Sequence, residues 1–233
     1  MIKMSIAITS YEMGGVGHQI LEYAFNSLKS QSFKDFEVVV SDQSKDFLIA
    51  DVCYKWKEDL NIVYCREENN HGYFTANENW AIKHSAGDII KFLDADDFLY
   101  DEKSLEKTFE SFDKGTMWLA TDYVHSYDRT TFINRHAPVM NDRIHVINTI
   151  GTPSCVSVRN DNIPLFDEKL RWAGDCEWYR QLYNKWGMFK TLNEITAVHY
   201  LWPGQNENTV GTSEELQAKE NSYIIRKHEG GSW

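Results

Sequence analysis

Residues 88–97 read Asp-Ile-Ile-Lys-Phe-Leu-Asp-Ala-Asp-Asp. The stretch is short, mostly apolar and preceded by Gly87, which predicts a strand buried on both faces over 88–93. It runs straight into three carboxylates within four residues. Like charges that close repel unless a cation or hydrogen bonds offset them. Hard oxygen donors of this kind suit Mg²⁺ or Mn²⁺, especially where a diphosphate supplies further oxygens. The plainer alternative is a solvated acidic turn capping a helix that starts near Asp101. Where the turn sits in the fold separates the two.

Working outward, residues 5–9 and 36–41 (Phe-Glu-Val-Val-Val-Ser) and 61–65 are further short apolar runs that read as strands. Between them, Leu21, Ala24, Phe25 and Leu28 share a helical stripe over 18–31, as do Ile49, Val52, Trp56 and Leu60 over 46–60. Helices are also expected over 76–85, with Gly87 past its end, and over 104–112. This β-α-β-α-β-α-β order predicts an α/β fold with a mostly parallel sheet, helices on both faces and right-handed crossovers. Such sheets bind ligands beyond the carboxyl ends of their strands. Thr9 to Glu12, Asp42 and Asp94 to Asp97 all fall there, so three separate segments converge on one edge. The second half is less regular. Strands are expected over 117–123, 131–135, 155–159 and 195–200, with helices over 175–186 and 214–227. The absence of repeats and linkers predicts a single domain over 1–229, with a flexible tail over 230–233.

Composition narrows the function. The 233 residues are 42% hydrophobic and 25% charged, a globular mixture. The net charge of −11 disfavours non-specific nucleic-acid binding and anionic membranes. Aromatic residues make up 14%, which serves a bulky core or a stacking surface for sugars or bases. Cys53, Cys65, Cys155 and Cys176 form no CxxC pair, so a structural zinc is not expected and reduced, buried thiols in a cytoplasmic setting are. No run approaches a membrane span, and no signal peptide is read at the N-terminus. Gly14-Gly15-Val16-Gly17 follows the first strand, but Ile20 stands where a dinucleotide fingerprint needs glycine.

In order along the chain, residues 5–11 (SIAITSY), 31–42 (QSFKDFEVVVSD), Asn70-His71-Gly72, Ala76-Asn77, 86–90 (AGDII) and 93–97 (LDADD) resemble the family 2 glycosyltransferases of the GT-A fold. The resemblance covers roughly residues 5–100. It implies a nucleoside-diphosphate sugar donor, most often a UDP-sugar, lying across the sheet edge. Thr9, Tyr11 and Glu12 match positions that hold the base and ribose, and Asp42 matches an acidic residue on the base. Asp94, Asp96 and Asp97 match the DxD segment, which implies donor contacts from Asp94 and Asp96 and a Mn²⁺ or Mg²⁺ on Asp96 and Asp97. Asn70, Gly72, Ala76 and Asn77 match the loop and helix start beneath the donor; a glycine turn with a helix cap is the architectural alternative.

The same resemblance extends to the second half. In residues 172–178 (WAGDCEW), Asp175 matches the general base of inverting members, with Gly174 where a Glu is usual. Glu177 is the fallback, and Trp172 and Trp178 are candidates for stacking on a sugar. Residues 195–210 match a late strand and loop that supply a diphosphate contact. His199 is the candidate there, with Gln205 and Asn206 behind it. Residues 151–154 match the acceptor pocket. The implied reaction is metal-dependent sugar transfer with inversion, to a hydroxyl of a glycan, in the cytoplasm. A hydroxymethylated base of viral DNA is an alternative acceptor that would need a basic groove. A sugar nucleotidyltransferase or a non-catalytic binder are the alternatives in other classes. The nucleotidyltransferase expects a basic, Gly-rich loop where Tyr11-Glu12-Met13 stands.

Overall fold

The four N-terminal strands form because short β-branched runs alternate their side chains between two apolar layers. In the computed structural model, which describes residues 2–205 and 213–230, these strands are β1 (Met4–Ser10), β2 (Phe36–Asp42), β3 (Ile62–Arg66) and β4 (Ile89–Phe92). Met4, Ile6 and Ile8 of β1 pack into one core, while Ala7 between them packs into the other. Val38 and Val40 of β2 divide from Val39 in the same way. This period of two requires a cover on each face. α1 (Gly17–Lys29) and α2 (Leu48–Trp56) cover the first, with Leu21, Phe25 and Trp56 turned inward. α3 (Phe74–His84) and α5 (Gly174–Trp186) cover the second through Ala81, Trp178 and Leu182.

Among the described residues one sheet of nine strands runs through both halves of the chain. β1 to β4 are mutually parallel in the order β3-β2-β1-β4, so the direction of winding reverses between β1 and β4. The second half adds β5 (Phe98–Leu99), β6 (Trp118–Ser126), β7 (Ile133–His136), β8 (Val156–Arg159) and β9 (Lys190–Tyr200). β8 joins β4 antiparallel, β6 joins β8 antiparallel, and β9 joins β6 in a long parallel ladder. α4 (Ser104–Glu110) follows β5, and the terminal helix α6 (Glu214–Glu229) closes the described chain. Among the described residues no helix is long and apolar enough to cross a membrane. Asn206 and residues 231–233 of the expected tail lie outside the described residues.

Two features differ from the sequence reading. β5 has only two residues, too few for a periodic signal, yet it pairs with β9 through Phe98 opposite Val198. β9 starts at Lys190, five residues before its expected start, because its exposed first half carries Asn193 and Glu194 and shows no apolar run. The cysteines are as expected: all four are free and buried.

Gly87 locks α3 to the sheet. Its N–H donates to Ser5 Oγ at 2.8 Å, and Ser5 Oγ donates to Glu37 Oε1 at 2.6 Å. A Cβ at position 87 would stand 2.5 Å from the Ser5 nitrogen and 2.6 Å from the Met4 carbonyl carbon, which are backbone atoms that cannot step aside. Gly87→Ala is therefore expected to cost about 1–3 kcal/mol, read as a lower midpoint in urea unfolding.

Candidate active site

The cavity lies where the winding reverses, beyond the carboxyl ends of β1 and β4, as the crossover rule requires. Its volume is about 870 Å³. Thr9, Tyr11, Asn77, Asp94 and Asp96 line it from the parallel half. Thr152, Arg171, Trp172, Asp175 and His199 line it from the other half. Residues as far apart in sequence as Thr9 and His199 thus share one wall.

The acidic turn is held by a donor for each carboxyl group. Thr152 donates to Asp94 Oδ2 at 2.7 Å, and the Asp94 N–H donates to Ser154 Oγ at 2.9 Å. The Trp202 indole N–H donates to Asp96 Oδ2 at 2.8 Å. Asp97 is buried behind them. It accepts the Tyr200 N–H at 3.0 Å and sits 3.1 Å from His199 Nδ1. The pairing of β5 with β9 sets this contact, since β5 begins at the residue after Asp97. Burial and the neighbouring Asp97 raise the carboxyls of Asp94 and Asp96 above the ordinary range. Burial alone would lower His199, but the charge and hydrogen bond of Asp97, with Asp96 and Asp94 beyond, lift it to about 9. The ring lines the cavity with Nδ1 turned to Asp97 and Nε2 3.4 Å from the Gln205 amide.

Not every predicted site residue reaches the wall. Asp42 is fully buried and occupied, accepting the Ser44 N–H at 2.7 Å and the Tyr64 hydroxyl at 2.8 Å. Glu12 accepts the Lys45 N–H at 3.3 Å from the turn after β1 and does not line the cavity. Asp97, expected as a metal ligand, has 0% of its side chain exposed and both oxygens turned to His199, Tyr200 and Thr152. Its position corrects the expectation: Asp94 and Asp96, rather than Asp96 and Asp97, present carboxyl oxygens to the cavity. Asn77 is not a helix cap. It accepts from Ser41 Oγ at 2.5 Å and donates to the Ser10 carbonyl at 3.1 Å, tying α3 to the ends of β1 and β2.

Asp175 stands in the first turn of α5, and the Asn148 amide donates to its Oδ2 at 2.8 Å. Glu177, the fallback, points elsewhere. Two residues on, a helical side chain has turned by about 200°, and Glu177 is buried against Lys227 and His228 of α6, each at 2.8 Å. Trp178 is core, stacked on Phe166 with centroids 4.4 Å apart, whereas Trp172 faces the cavity. Gly174, where an acidic residue was expected, is dictated by space. A Cβ there would meet Thr75 Cγ2 at 2.3 Å and the Phe74 ring at 2.9 Å.

Several participants escaped the sequence reading. Lys91 lies fully buried in β4, donates to the Ser154 carbonyl and stands close enough to Asp97 and Asp94 to feel their charge. Burial pulls it down to about 8 against those acids. A lysine inside an apolar strand was the available signal. Arg171 brings a guanidinium to the cavity, donating to the Gly72 carbonyl at 3.2 Å. Thr152 and Trp202 lie in the stretches 151–154 and 195–210 that the resemblance marks, but their contacts with the acidic turn were unread because hydroxyls and indoles in loops carry no periodic mark.

The residues present fit a divalent ion in one manner. Among the described residues no group of three His, Cys, Asp or Glu side chains forms a cation cage. Asp94 and Asp96 offer hard oxygens on one wall, which suits an ion that completes its shell with phosphate oxygens and water.

A model of the family described as "Glycosyl transferase family 2" matches residues 5–172, more than half of the chain. The chain belongs to glycosyl transferase family 2. One relative is the GalNAc(5)-diNAcBac-PP-undecaprenol beta-1,3-glucosyltransferase of Campylobacter jejuni, 32% identical over 100 residues, which are 42% of this chain and 31% of that one. Another is the poly(ribitol-phosphate) beta-N-acetylglucosaminyltransferase TarS of Staphylococcus aureus, 29% identical over 104 residues, 44% of this chain and 18% of that one. The chain thus spans less than a third of either relative. The S. aureus TarS 1–349 structure in complex with UDP-GlcNAc superposes with a TM-score of 0.76 at 22% identity, covering 96% of this chain and 65% of that one. A mannosyltransferase from Pyrobaculum calidifontis, in complex with GDP-Man and Mn²⁺, gives 0.62 at 12% identity over 99% and 65%. These likenesses establish the fold of a family 2 member.

The His199–Asp97 pair carries a pH signature. The ring's folded value lies above its ordinary 6.5, so the pair's stabilisation is fully present below about 6.5 and is lost as pH rises through about 9. His199→Gln is expected to lower urea stability more at pH 6 than at pH 10. Equal losses at both would contradict the pairing.

Proposed function

We propose that this chain transfers a sugar from a nucleoside-diphosphate sugar, a UDP-sugar first among them, to an acceptor hydroxyl, with inversion at the anomeric carbon. The observation that carries this reading is the meeting of Asp94 and Asp96 with Asp175 around one cavity of about 870 Å³. Sugar exchange asks for charge stabilisation on the leaving side and a base on the attacking side, and the two halves of the chain supply one each. The names of the C. jejuni and S. aureus relatives, which print GalNAc(5)-diNAcBac-PP-undecaprenol and poly(ribitol-phosphate) beside a glycosyl transfer, support an acceptor hydroxyl on a glycan or a related polymer. The UDP-GlcNAc complex of TarS supports the choice of nucleotide.

On this reading Thr9, Tyr11 and Asn77 line the floor beneath the nucleotide, His199 stands beside the acidic turn near the diphosphate, and Arg171 lies with Trp172 on the acceptor side. Asp94 and Asp96 would hold a Mn²⁺ or Mg²⁺, and such an ion offsets the charge that gathers on the departing diphosphate. The Mn²⁺ complex of the P. calidifontis neighbour supports that choice. Asp175 accepts the proton of the acceptor hydroxyl as its oxygen attacks, and Asn148 holds the carboxylate by one oxygen. Trp172 offers a flat apolar face on the acceptor side. Arg171 is the single Arg or Lys side chain among the described residues of the wall, which gives a DNA acceptor no basic groove to follow.

Two measurements test the assignment. Titration calorimetry with UDP is expected to show binding in Mn²⁺ that EDTA abolishes, and binding of no nucleoside diphosphate under any metal condition would overturn the reading. Asp175→Asn is expected to lower kcat by about 10²–10⁴-fold with UDP affinity unchanged. A variant with full turnover would remove Asp175 from the base role.

A further inference from the structure

The segment that carries Arg171, Trp172 and Asp175 is not held by the helix it begins. Ala173, the residue before α5, makes no side-chain cap, and Gly174 has no side chain to offer. The backbone donors there are instead met from α6. Glu220 Oε1 accepts the Arg171 N–H at 2.7 Å, and its Oε2 accepts the Trp172 and Ala173 N–H groups at 3.0 and 2.9 Å. Three successive amides converge on one buried carboxylate from a residue 47 to 49 positions away in sequence. The next residue, Asn221, reaches the cavity wall itself.

α6 is also bound to the same region elsewhere. Lys227 reaches Asp167 at 2.7 Å and Glu177 at 2.8 Å, and Tyr223 donates to Asp167 at 2.7 Å. Ile224 packs against Leu170 and Ala173 with Trp172 alongside. These contacts dock the helix. Those of Glu220 do something narrower, because they fix the backbone of the residues that turn into the cavity. Among the described residues these contacts run to the segment before α5 and to α5 itself.

We propose that Glu220 is a positioning residue for Asp175 and Arg171: the terminal helix, which lies beyond the family match at residues 5–172, completes the acceptor side of the site by clamping three backbone amides in front of α5. The proposal rests on the transferase reading given above. A base on a loosened turn misses the attack geometry, and a misplacement of about 1 Å can cost on the order of 10²-fold in rate. The donor half, built on other elements, keeps its affinity.

The test uses the full chain with Glu220→Ala and Glu220→Gln. In the alanine variant, amide exchange at residues 171–173 is expected to quicken at least about tenfold, and kcat for transfer to fall about 10–100-fold. The affinity for UDP with Mn²⁺ is expected to stay within about threefold of wild type. Glu220→Gln keeps one acceptor oxygen and is expected to recover part of kcat; it also serves if the alanine variant does not fold. A folded variant with faster exchange but kcat within about twofold of wild type overturns the proposal and leaves the transferase reading intact. A parallel fall of kcat and UDP affinity overturns it too, since Glu220 would then support the whole fold. Wild-type protein that transfers no sugar, yet shows the exchange difference, overturns the transferase reading and with it the role of Glu220, while the clamp itself is still measured.

Discussion

Asp94, Asp96 and Asp97 bring three carboxyl groups into one turn of chain, and much of the cavity wall can be understood as the answer to that crowding. Repulsion of this kind is relieved by hydrogen bonds, opposite charge or protonation. Thr152 and Trp202 provide the hydrogen bonds, one each to Asp94 and Asp96. His199 provides the charge, against Asp97. Lys91, buried in the strand beneath, adds a second cation close to Asp97 and Asp94. All four come from outside the acidic turn, and three of them come from the second half of the chain. The acidic turn can therefore take its form only once β8 and β9 have joined the sheet.

That dependence divides the roles of the three acids. Asp97 is spent on structure, since its buried oxygens bind β9 and hold His199 in place. Asp94 and Asp96 keep a face toward the cavity, and burial together with the charge of Asp97 raises both carboxyls above the usual range. A buried ion pair behind two partly buried acids is a way of fixing the acids' direction, because Asp97 cannot rotate without stranding its charge. Glu78 adds to the same field from below. Burial first, and Asp94 second, raise its carboxyl well above the usual range, and it accepts from Thr9 at 3.2 Å.

Sequence and structure agree where periodicity speaks and part where it does not. The strands Val38 to Val40 and Ile89 to Phe92 were legible because burial on both faces leaves a short apolar run, interrupted in the second only by Lys91. The meeting of Thr9, Asp94 and Asp96 at one cavity was legible because crossover rules put strand ends together, while Asp175 was legible only through the family resemblance. Side-chain direction was not. Whether Asp97 faces out or in depends on the pairing of Phe98 with Val198, a two-residue ladder with no pattern to read. Asp42 carries an acidic side chain at the right edge, but Tyr64 on the neighbouring strand captures it, and cross-strand capture depends on register. Glu220 sits in a charged helix where one more acid attracts no notice, and only the approach of α6 to α5 gives it three amides to hold.

The two walls of the cavity are built by different means, and this bears on what the site can discriminate. The wall from the parallel half is part of the sheet: Thr9 and Asn77 are tied through Glu78, Ser41 and the Ser10 carbonyl, all within elements that form the core. The opposite wall is carried on connections, with Thr152 in a loop, Asn148 holding Asp175 from another, and Trp172 on a turn clamped from α6. Rigid scaffolds favour a ligand of constant shape, and connecting segments tolerate change without loss of the core. On the transferase reading proposed above, change in the acceptor is therefore tolerated best on the clamped side. On the same proposed reading, the acceptor would be selected by how Trp172, Asn148 and Asn221 are presented, more than by the acidic turn across from them.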